Sequence, residues 1–480
     1  MKKSLKNLDF ILLKLPFFYS PHLLNGIGYV HNILKKCGIK HITYDLNAYY
    51  YYFMNNYRNL LSNDTGEYKN MVLWEFLDYF IKDLVDIKPK IIGISIDAGV
   101  YFNSEVIVNF IGKIKKILPD TIFIAGGYAC FSDNIPALVR RVFDYTIVRE
   151  SENSLPFLIN EIMNNKLVKD LPGVISKYDS FGRKWQYAPI YKNLDAIDFP
   201  RYEWANLKMY ELSQNLQMAP IVPNRGCLWG RCYFCSETVQ FRTRSAQSLA
   251  DEVEFLNKNG FNNFLFSCND FNGDPQVTID FCNEIIKRKL KVNFQGQLRI
   301  DERNNLNTFK LFEKAGILFI TFGVDGFSNR ALKLLNKGYD MKVVEKNLKD
   351  CAKTKVKGLV NLLTGIPGEV EEDVEEYIEN ITHLHKYIKE INCSFYLYLQ
   401  NGSDYFINSE KHKIEFHKYK RTIDNNYKFD IPNDLWCCRE PFLDIEISKK
   451  RLKRILSKIR ELKIYESDHN IEITKIIDSN

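Results

Sequence analysis

From residue 8 to about residue 148 the chain alternates short apolar runs with longer stretches whose apolar residues recur every three to four positions. The first pattern fits buried strands and the second fits helices that cover them, so together they predict βαβ units on a parallel sheet. Strands are expected at 10–15, 41–44, 91–96, 121–125 and 145–148, and helices at 23–36 and 105–118. A doubly wound sheet binds its ligand beyond the carboxyl ends of its strands. Two of those ends stand out: Ser95 closes one strand and Gly126-Gly127 closes the next. Adjacent glycines let a backbone approach a ligand with no side chain between, although a tight strand-to-helix turn would use the same residues.

Residues 151–216 hold Gly173, Pro189 and Pro200 among turn-rich stretches and read as a connector. A second βα series fills 217–403, with strands expected at 220–224, 263–267, 291–299, 318–325, 359–365 and 392–400. The fold class is therefore α/β: a Rossmann-like domain over 1–150, then an incomplete (β/α)6 barrel. In the third barrel strand Asn293, Gln295, Gln297 and Arg299 alternate with Val292, Phe294 and Leu298. In the sixth, Asn392, Ser394, Tyr396, Tyr398 and Gln400 alternate with Phe395, Leu397 and Leu399. Outer helices need the apolar face, so the polar face points into the lumen. A self-filled barrel would place branched aliphatics there. Gln295, Gln297, Tyr396 and Tyr398 are accordingly candidate substrate-positioning groups, while exposed edge strands would show the same alternation.

The last segment, 404–480, reads as small and mostly helical. Its helix at 448–463 sets Leu452, Ile455, Leu456, Ile459 and Leu462 on one face and Lys449, Lys450, Lys453, Arg454 and Lys458 elsewhere. A solvated basic face is the plain reading, and a surface for an acidic peptide or RNA is the sharper one.

A net charge of +7 from 66 basic and 59 acidic residues does not indicate nucleic acid as a partner. The opening Met1-Lys2-Lys3 and Phe10-Ile11-Leu12-Leu13 resemble a secretion signal only in part, because Asp9, Lys14 and Pro16 interrupt the apolar run. With no membrane-length apolar stretch and eleven scattered cysteines, a reducing cytoplasm is the expected location and a disulfide framework is not expected.

The chemistry concentrates in Arg225-Gly226-Cys227-Leu228-Trp229-Gly230-Arg231-Cys232-Tyr233-Phe234-Cys235, directly after the strand that opens the second series. Three thiolates in one loop can each hold one iron of a 4Fe-4S cubane and leave the fourth iron open. That iron can chelate the amino and carboxylate groups of a methionine moiety and pass an electron into the adjacent sulfonium bond. A zinc site is the alternative for the same metal ligands, Cys227, Cys232 and Cys235, and it needs a fourth cysteine or histidine that the loop does not supply.

The loop resembles that of the radical S-adenosylmethionine superfamily, and the order of the parts resembles its cobalamin-binding branch. The usual spacing there is CxxxCxxC, whereas four residues separate Cys227 from Cys232. The resemblance implies S-adenosylmethionine contacts at Phe234, at Asn269 within Ser267-Cys268-Asn269-Asp270, at Arg299, and at Asp325 within Gly323-Val324-Asp325-Gly326. It implies further contacts at Gly365 and Ile366, within Gly365-Ile366-Pro367-Gly368-Glu369. It also implies cobalamin at Ser95, Gly126 and Gly127. The Asp-x-His-x-x-Gly motif is missing, so His22, His31 and His41 are not expected to ligate cobalt, and a structural role is their plain reading. The aromatic run 49–53 reads as packing or a platform under a corrin ring. Trp436-Cys437-Cys438-Arg439 reads as structural, with substrate contact or an auxiliary metal as alternatives.

What the resemblance implies is a radical enzyme with a 4Fe-4S cluster, S-adenosylmethionine and cobalamin. Its expected activity is methyl transfer to an unactivated carbon of a small-molecule or peptide substrate. A one-electron reductant such as flavodoxin or ferredoxin would serve it. Rearrangement or oxidation without methyl transfer is the second enzymatic expectation, and a non-catalytic iron-sulfur or cobalamin sensor is the third.

Overall fold

A computed structural model describes residues 8–16, 23–57, 66–96, 100–130, 142–210, 218–237, 239–395, 397, 399–400, 402–416 and 436–466. The chain divides into two compact units, one built mainly from residues 1–192 and 196–218, the other mainly from 219–423 and 429–480.

The first unit carries β1 (Phe10–Lys14), β2 (His41–Asp45), β3 (Ile91–Ser95), β4 (Ile122–Gly126), β5 (Tyr145–Ile147) and β6 (Val174–Ser176), in the sheet order β2-β1-β3-β4-β5-β6. All neighbours are parallel except the β5/β6 pair. Alternation along each strand feeds two cores. Ile11, Leu13, Ile92, Ile94 and Phe123 join Leu73, Leu77 and Leu84 of helix Gly66–Ile87 and Phe110 and Ile114 of helix Val100–Ile117. Phe10, Leu12, Ile91 and Ile124 meet Ile27 and Leu34 of helix Asn25–Lys36 and Leu155, Leu158 and Ile162 of helix Ser154–Met163. Covering both faces of a parallel sheet is what makes its strands read as near-continuous apolar runs.

One expectation changes here. The supposed connector supplies helix Ser154–Met163 and the sixth strand, so it is part of the first unit. Gly173, at φ +76°, turns the chain back to pair β6 antiparallel to β5, and a three-residue strand is too short to leave a periodic trace. The aromatic run lies in helix Leu46–Tyr57, where Tyr50 is buried against Phe76 with ring centroids 5.5 Å apart. His31 and His41 are bonded to one another, Nε2 of His41 lying 3.1 Å from Nδ1 of His31. His41 opens β2, at the edge opposite Ser95. His22 lies outside the described residues.

The second unit opens with β7 (Ala219–Ile221) and the two-residue antiparallel pair β8 (Asn224–Arg225) and β9 (Arg242–Thr243). β10 (Asn263–Phe266), β11 (Asn293–Leu298), β12 (Ile317–Asp325), β13 (Lys357–Thr364) and β14 (Glu390–Phe395) follow. A small antiparallel sheet of β15 (Ile414–Phe416), β16 (Trp436–Arg439) and β17 (Phe442–Leu443) comes next, and β18 (Tyr465–Glu466) is the last strand. The main sheet is wholly parallel in the order β18-β14-β13-β12-β11-β10-β7. The six expected strands are joined by a seventh, so the C-terminal segment is more than helical. Its helix Ile445–Glu461 is the crossover between β14 and β18. Cap residues set where the outer helices begin: Ser245, Asp274, Asn305, Ser328, Asp340 and Asp444 each accept from a backbone N–H of the first turn.

The basic C-terminal helix does not simply face solvent. Arg451 Nη1 lies 3.2 Å from the buried Glu369 carboxylate and its Nε lies 3.2 Å from Glu371, while Arg454 pairs with Glu371 and Glu375. The acidic partner of Arg451 and Arg454 is thus the start of helix Glu371–Leu384 in the same unit. Trp436, Cys437 and Cys438 are buried in β16, in line with their plain reading. No helix among the described residues is long and apolar enough to cross a membrane.

Removing Arg451 strands a carboxylate with no exposed surface. Arg451→Met should therefore lower stability by about 3 kcal/mol in urea unfolding. Adding Glu369→Gln should recover most of the loss, and a double variant as weak as the single one would show that the ion pair is not the cause.

Candidate functional site

The cysteine loop lies at the carboxyl end of β7, beyond β8. Gly226 makes the turn possible: its φ is +81°, and a Cβ there would fall 2.3 Å from the Val239 carbonyl oxygen. From that point long-range contacts hold the irregular backbone. Tyr233 N–H donates to Leu335 O (3.1 Å), Asn336 Nδ2 donates to Arg231 O (2.7 Å), and Tyr405 N–H donates to Tyr233 O (3.0 Å). Trp229 Nε1 donates to Asn336 O (2.9 Å), and its ring covers Gly338 so closely that a Cβ there would sit 2.1 Å from it. Ser236 N–H reaches Gln400 Oε1 at 3.1 Å.

Cys227, Cys232 and Cys235 are unbridged and partly exposed. Burial, partly offset by the Glu237 N–H and reinforced by the two neighbouring thiols, raises the Cys235 thiol to about 11. Burial likewise raises Cys232, against the pull of Lys337 and Arg299. Such thiols ligate as thiolates, so metal binding must displace their protons. Among the described residues no three His, Cys, Asp or Glu side chains converge as a single metal ion requires. A cubane asks for something else, one thiolate on each of three separate irons, and three thiols spread along one loop meet that demand. A fourth cysteine that sequence reading passed over, Cys268, lies close enough to Cys227 for the two to interact electrostatically, and burial holds its thiol well above the ordinary range.

Beside the loop lies an arrangement of charge with little sequence signature. Lys337 is buried, and its ammonium is 2.5 Å from Asp325 Oδ2. Burial alone would lower its pKa, but the Asp325 carboxylate overrides this and holds it well above the ordinary lysine range. The same ammonium stands 5.8 Å from the centroid of the Phe234 ring. The Arg299 guanidinium lies between the rings of Trp229 (4.5 Å) and Tyr339 (5.0 Å) and donates to the Lys337 carbonyl. Tyr339 in turn donates to Gly323 O at 2.9 Å. Asp270 is buried, which raises its carboxyl to about 6, and it accepts the backbone N–H of Arg299 at 3.2 Å.

Phe234, Arg299 and Asp325 therefore gather around the cysteine loop through Lys337. Asn269 joins through Glu237, its Nδ2 donating to Glu237 Oε2 at 2.8 Å. Gly365 and Ile366 lie at the end of the next strand, β13, where Gly365 has φ +72° and donates to Glu369, and Ile366 is fully buried. Gln295 and Gln297 occupy the more exposed face of β11, in register with Phe319 and Thr321 of β12. Tyr396 and Tyr398 lie outside the described residues. In the first unit Ser95 and Gly126 are registered neighbours, Gly126 faces open space, and Gly127 (φ +105°) would put a Cβ 2.6 Å from Ile96 O.

The Radical SAM superfamily signature matches residues 221–381. An uncharacterized methyltransferase of Pyrococcus horikoshii is 22% identical over 298 residues, 61% of this chain and 63% of the relative. An anaerobic magnesium-protoporphyrin IX monomethyl ester cyclase of Rubrivivax gelatinosus is 24% identical over 318 residues, 62% of this chain and 55% of the relative. The match thus spans less than two thirds of either relative. Among solved structures, the radical S-adenosylmethionine methyltransferase TsrM of Kitasatospora setae, with cobalamin and a 4Fe-4S cluster bound, aligns at a TM-score of 0.67 and 17% identity. It covers 86% of this chain and 82% of TsrM. OxsB, a cobalamin-dependent S-adenosylmethionine radical enzyme with aqua-cobalamin bound, aligns at 0.69 and 16%, over 93% of this chain and 66% of OxsB. Residues 221–381 carry the Radical SAM superfamily signature, and the fold of the chain is shared with TsrM and OxsB. That signature implies a 4Fe-4S cluster and S-adenosylmethionine.

Because the Trp229 ring rests on Gly338, Gly338→Ala should push that ring and the loop aside. Iron and sulfide bound after anaerobic reconstitution should fall well below the wild-type content with the fold intact by circular dichroism. Unchanged iron content would mean that the loop does not depend on this contact.

Proposed function

We propose that the protein is a cobalamin-dependent radical methyltransferase acting on an unactivated carbon of a small-molecule or peptide substrate. The observation that carries the reading is one chain holding both parts: a three-cysteine loop on a parallel half-barrel, preceded by a doubly wound unit whose strand ends carry Ser95 and the Gly126-Gly127 turn. Likeness to TsrM and OxsB over most of the chain, and the methyltransferase name of the Pyrococcus relative, support it. When bound, the cluster with S-adenosylmethionine supplies the radical chemistry and the corrinoid supplies a methyl carrier.

The chain's own residues bind and orient. Cys227, Cys232 and Cys235 hold the three ligated irons. Phe234, Asn269, Arg299, Asp325, Gly365 and Ile366 are assigned to S-adenosylmethionine, the Lys337–Asp325 pair fixing where the aspartate points. Gln295 and Gln297, with Thr321 beside Gln297 in register, offer neutral donors and acceptors to a substrate. Holding that substrate in line is what makes transfer between reacting centres efficient. The cyclase relative favours a second reading, oxidation or rearrangement without methyl transfer.

Two measurements decide between these readings. With dithionite and S-adenosylmethionine the wild type should release 5′-deoxyadenosine, and alanine at Cys227, Cys232 or Cys235 should abolish both this and cluster loading. Near-wild-type release from all three variants would sink the cluster assignment. With a deuterated methyl group on S-adenosylmethionine, label should appear in the corrinoid extracted from the anaerobically loaded protein. Release of 5′-deoxyadenosine without label in the corrinoid would favour the second reading.

A further inference from the structure

In the first unit four strands end level. Asp45 is registered beside Lys14, Lys14 beside Ser95, and Ser95 beside Gly126. Registered neighbours in a parallel sheet point to the same side, so the four share one face. In the order β2-β1-β3 the chain passes from β1 to β2 on one side and later enters β3 on the other, which makes the gap between β1 and β3 the switch point. A ligand crevice opens beyond the strands at such a point. Lys14 and Ser95 are the residues that flank it.

Lys14 is only 2% exposed. Among the described residues its ammonium has neither an ion-pair partner nor a hydrogen-bond acceptor. Asp45, the acid beside it in register, is engaged elsewhere: Oδ1 accepts the Ala48 N–H at 3.1 Å and Oδ2 accepts the Tyr210 hydroxyl at 3.0 Å. A lysine with so little exposed surface and no counter-charge is costly, and an apolar side chain would serve a purely structural strand better. Its ammonium is not fully enclosed, so the tip still reaches the strand ends. The rest of β1, Phe10-Ile11-Leu12-Leu13, is apolar. Next in the row stand the Ser95 side chain, whose hydroxyl oxygen is 3.0 Å from where a Cβ on Gly127 would be, and Gly126, which has open space in front of it. A cation, a hydroxyl and bare backbone side by side form a receptor for an anion that must come close.

We propose that Lys14 binds the phosphodiester of a corrinoid's nucleotide tail, with Ser95 and the Gly126-Gly127 backbone beside it. This rests on the corrinoid reading above. The phosphodiester carries one permanent negative charge, which matches the single ammonium, and the charge is retained whichever group occupies cobalt.

The test uses the full-length protein under anaerobic conditions and two probes. These are hydroxocobalamin and dicyanocobinamide, which lacks the nucleotide and its phosphodiester. Lys14→Met should weaken cobalamin binding about tenfold, the loss expected for one charge-assisted hydrogen bond. It should leave cobinamide affinity within about twofold. Lys14→Arg should keep most of the cobalamin affinity. Thermal unfolding of the ligand-free Lys14→Met protein should be no lower than wild type, since the substitution removes an unpaired charge from a side chain with little exposed surface. Equal weakening toward both probes, or unchanged cobalamin affinity, would overturn the assignment. A wild type that binds cobinamide and cobalamin equally would overturn it as well. A wild type that binds neither would remove the corrinoid reading itself.

Discussion

The site in the second unit depends on keeping an ammonium inside the protein. Lys337 is nearly without exposed surface, and an isolated lysine there would lose its proton or unfold its surroundings. Asp325 prevents this, and it can do so because the chain at the end of β12 enters the left-handed region, with φ +64° at Asp325 itself. The strained backbone and the ion pair support each other, since the pair offsets a conformation that costs a non-glycine residue free energy. With Lys337 fixed, its carbonyl receives Arg299, Arg299 is set between Trp229 and Tyr339, and Trp229 anchors the cysteine loop. Two cations thus stand beside the cysteine loop, and both lower the Cys232 pKa against the effect of burial.

The half-barrel separates stability from chemistry by strand face. Toward the helices the strands present Phe264, Phe266, Phe294, Ile320, Phe322, Val360 and Leu362, all buried, with Phe266 and Phe294 stacked at 5.2 Å. Glycine is needed where that layer is tightest: a Cβ at Gly296 would meet Phe266 at 2.8 Å. Toward the lumen the same strands present Gln295, Gln297, Thr321, Asn361, Asn392 and Ser394, with Asn392 Nδ2 bonded to Asn361 Oδ1 at 3.2 Å. Substitutions on the first face should act through packing and those on the second through recognition.

Most of the fold was legible because periodicity survives without tertiary knowledge. Buried parallel strands and the alternating faces of β11 and β14 leave long, regular traces. What escaped was short or non-local. β6 and β18 have three and two residues, below the length at which alternation can be read. The basic residues of helix Ile445–Glu461 looked solvated because nothing in their own segment reveals that Glu369, Glu371 and Glu375 lie opposite. At the site the three cysteines were legible from spacing and chemistry together. Lys337 and Tyr339 were not, since Lys337-Gly338-Tyr339 has the composition of any turn and its meaning comes from Trp229, more than a hundred residues earlier.

Charge is not spread evenly along the lumen face, and this bears on what a bound molecule meets. At the carboxyl ends of β11 and β12 stand Arg299, Asp325 and Lys337, all already engaged with protein groups. Deeper, with the Phe319 ring under Lys357 and with Glu390 nearer the amino ends, the partly exposed positions of β11 through β14 run from Gln295 and Gln297 to Asn361, Asn392 and Ser394. Neutral groups of this kind cannot compensate a buried charge, so an ionised group lying against them would keep most of its desolvation cost. They discriminate well between partners that do and do not complete their hydrogen bonds, because an amide left unsatisfied costs more than a made bond contributes. The amides and hydroxyls of this face thus offer hydrogen bonds to be matched, while the charged groups at the strand ends hold the cysteine loop in place.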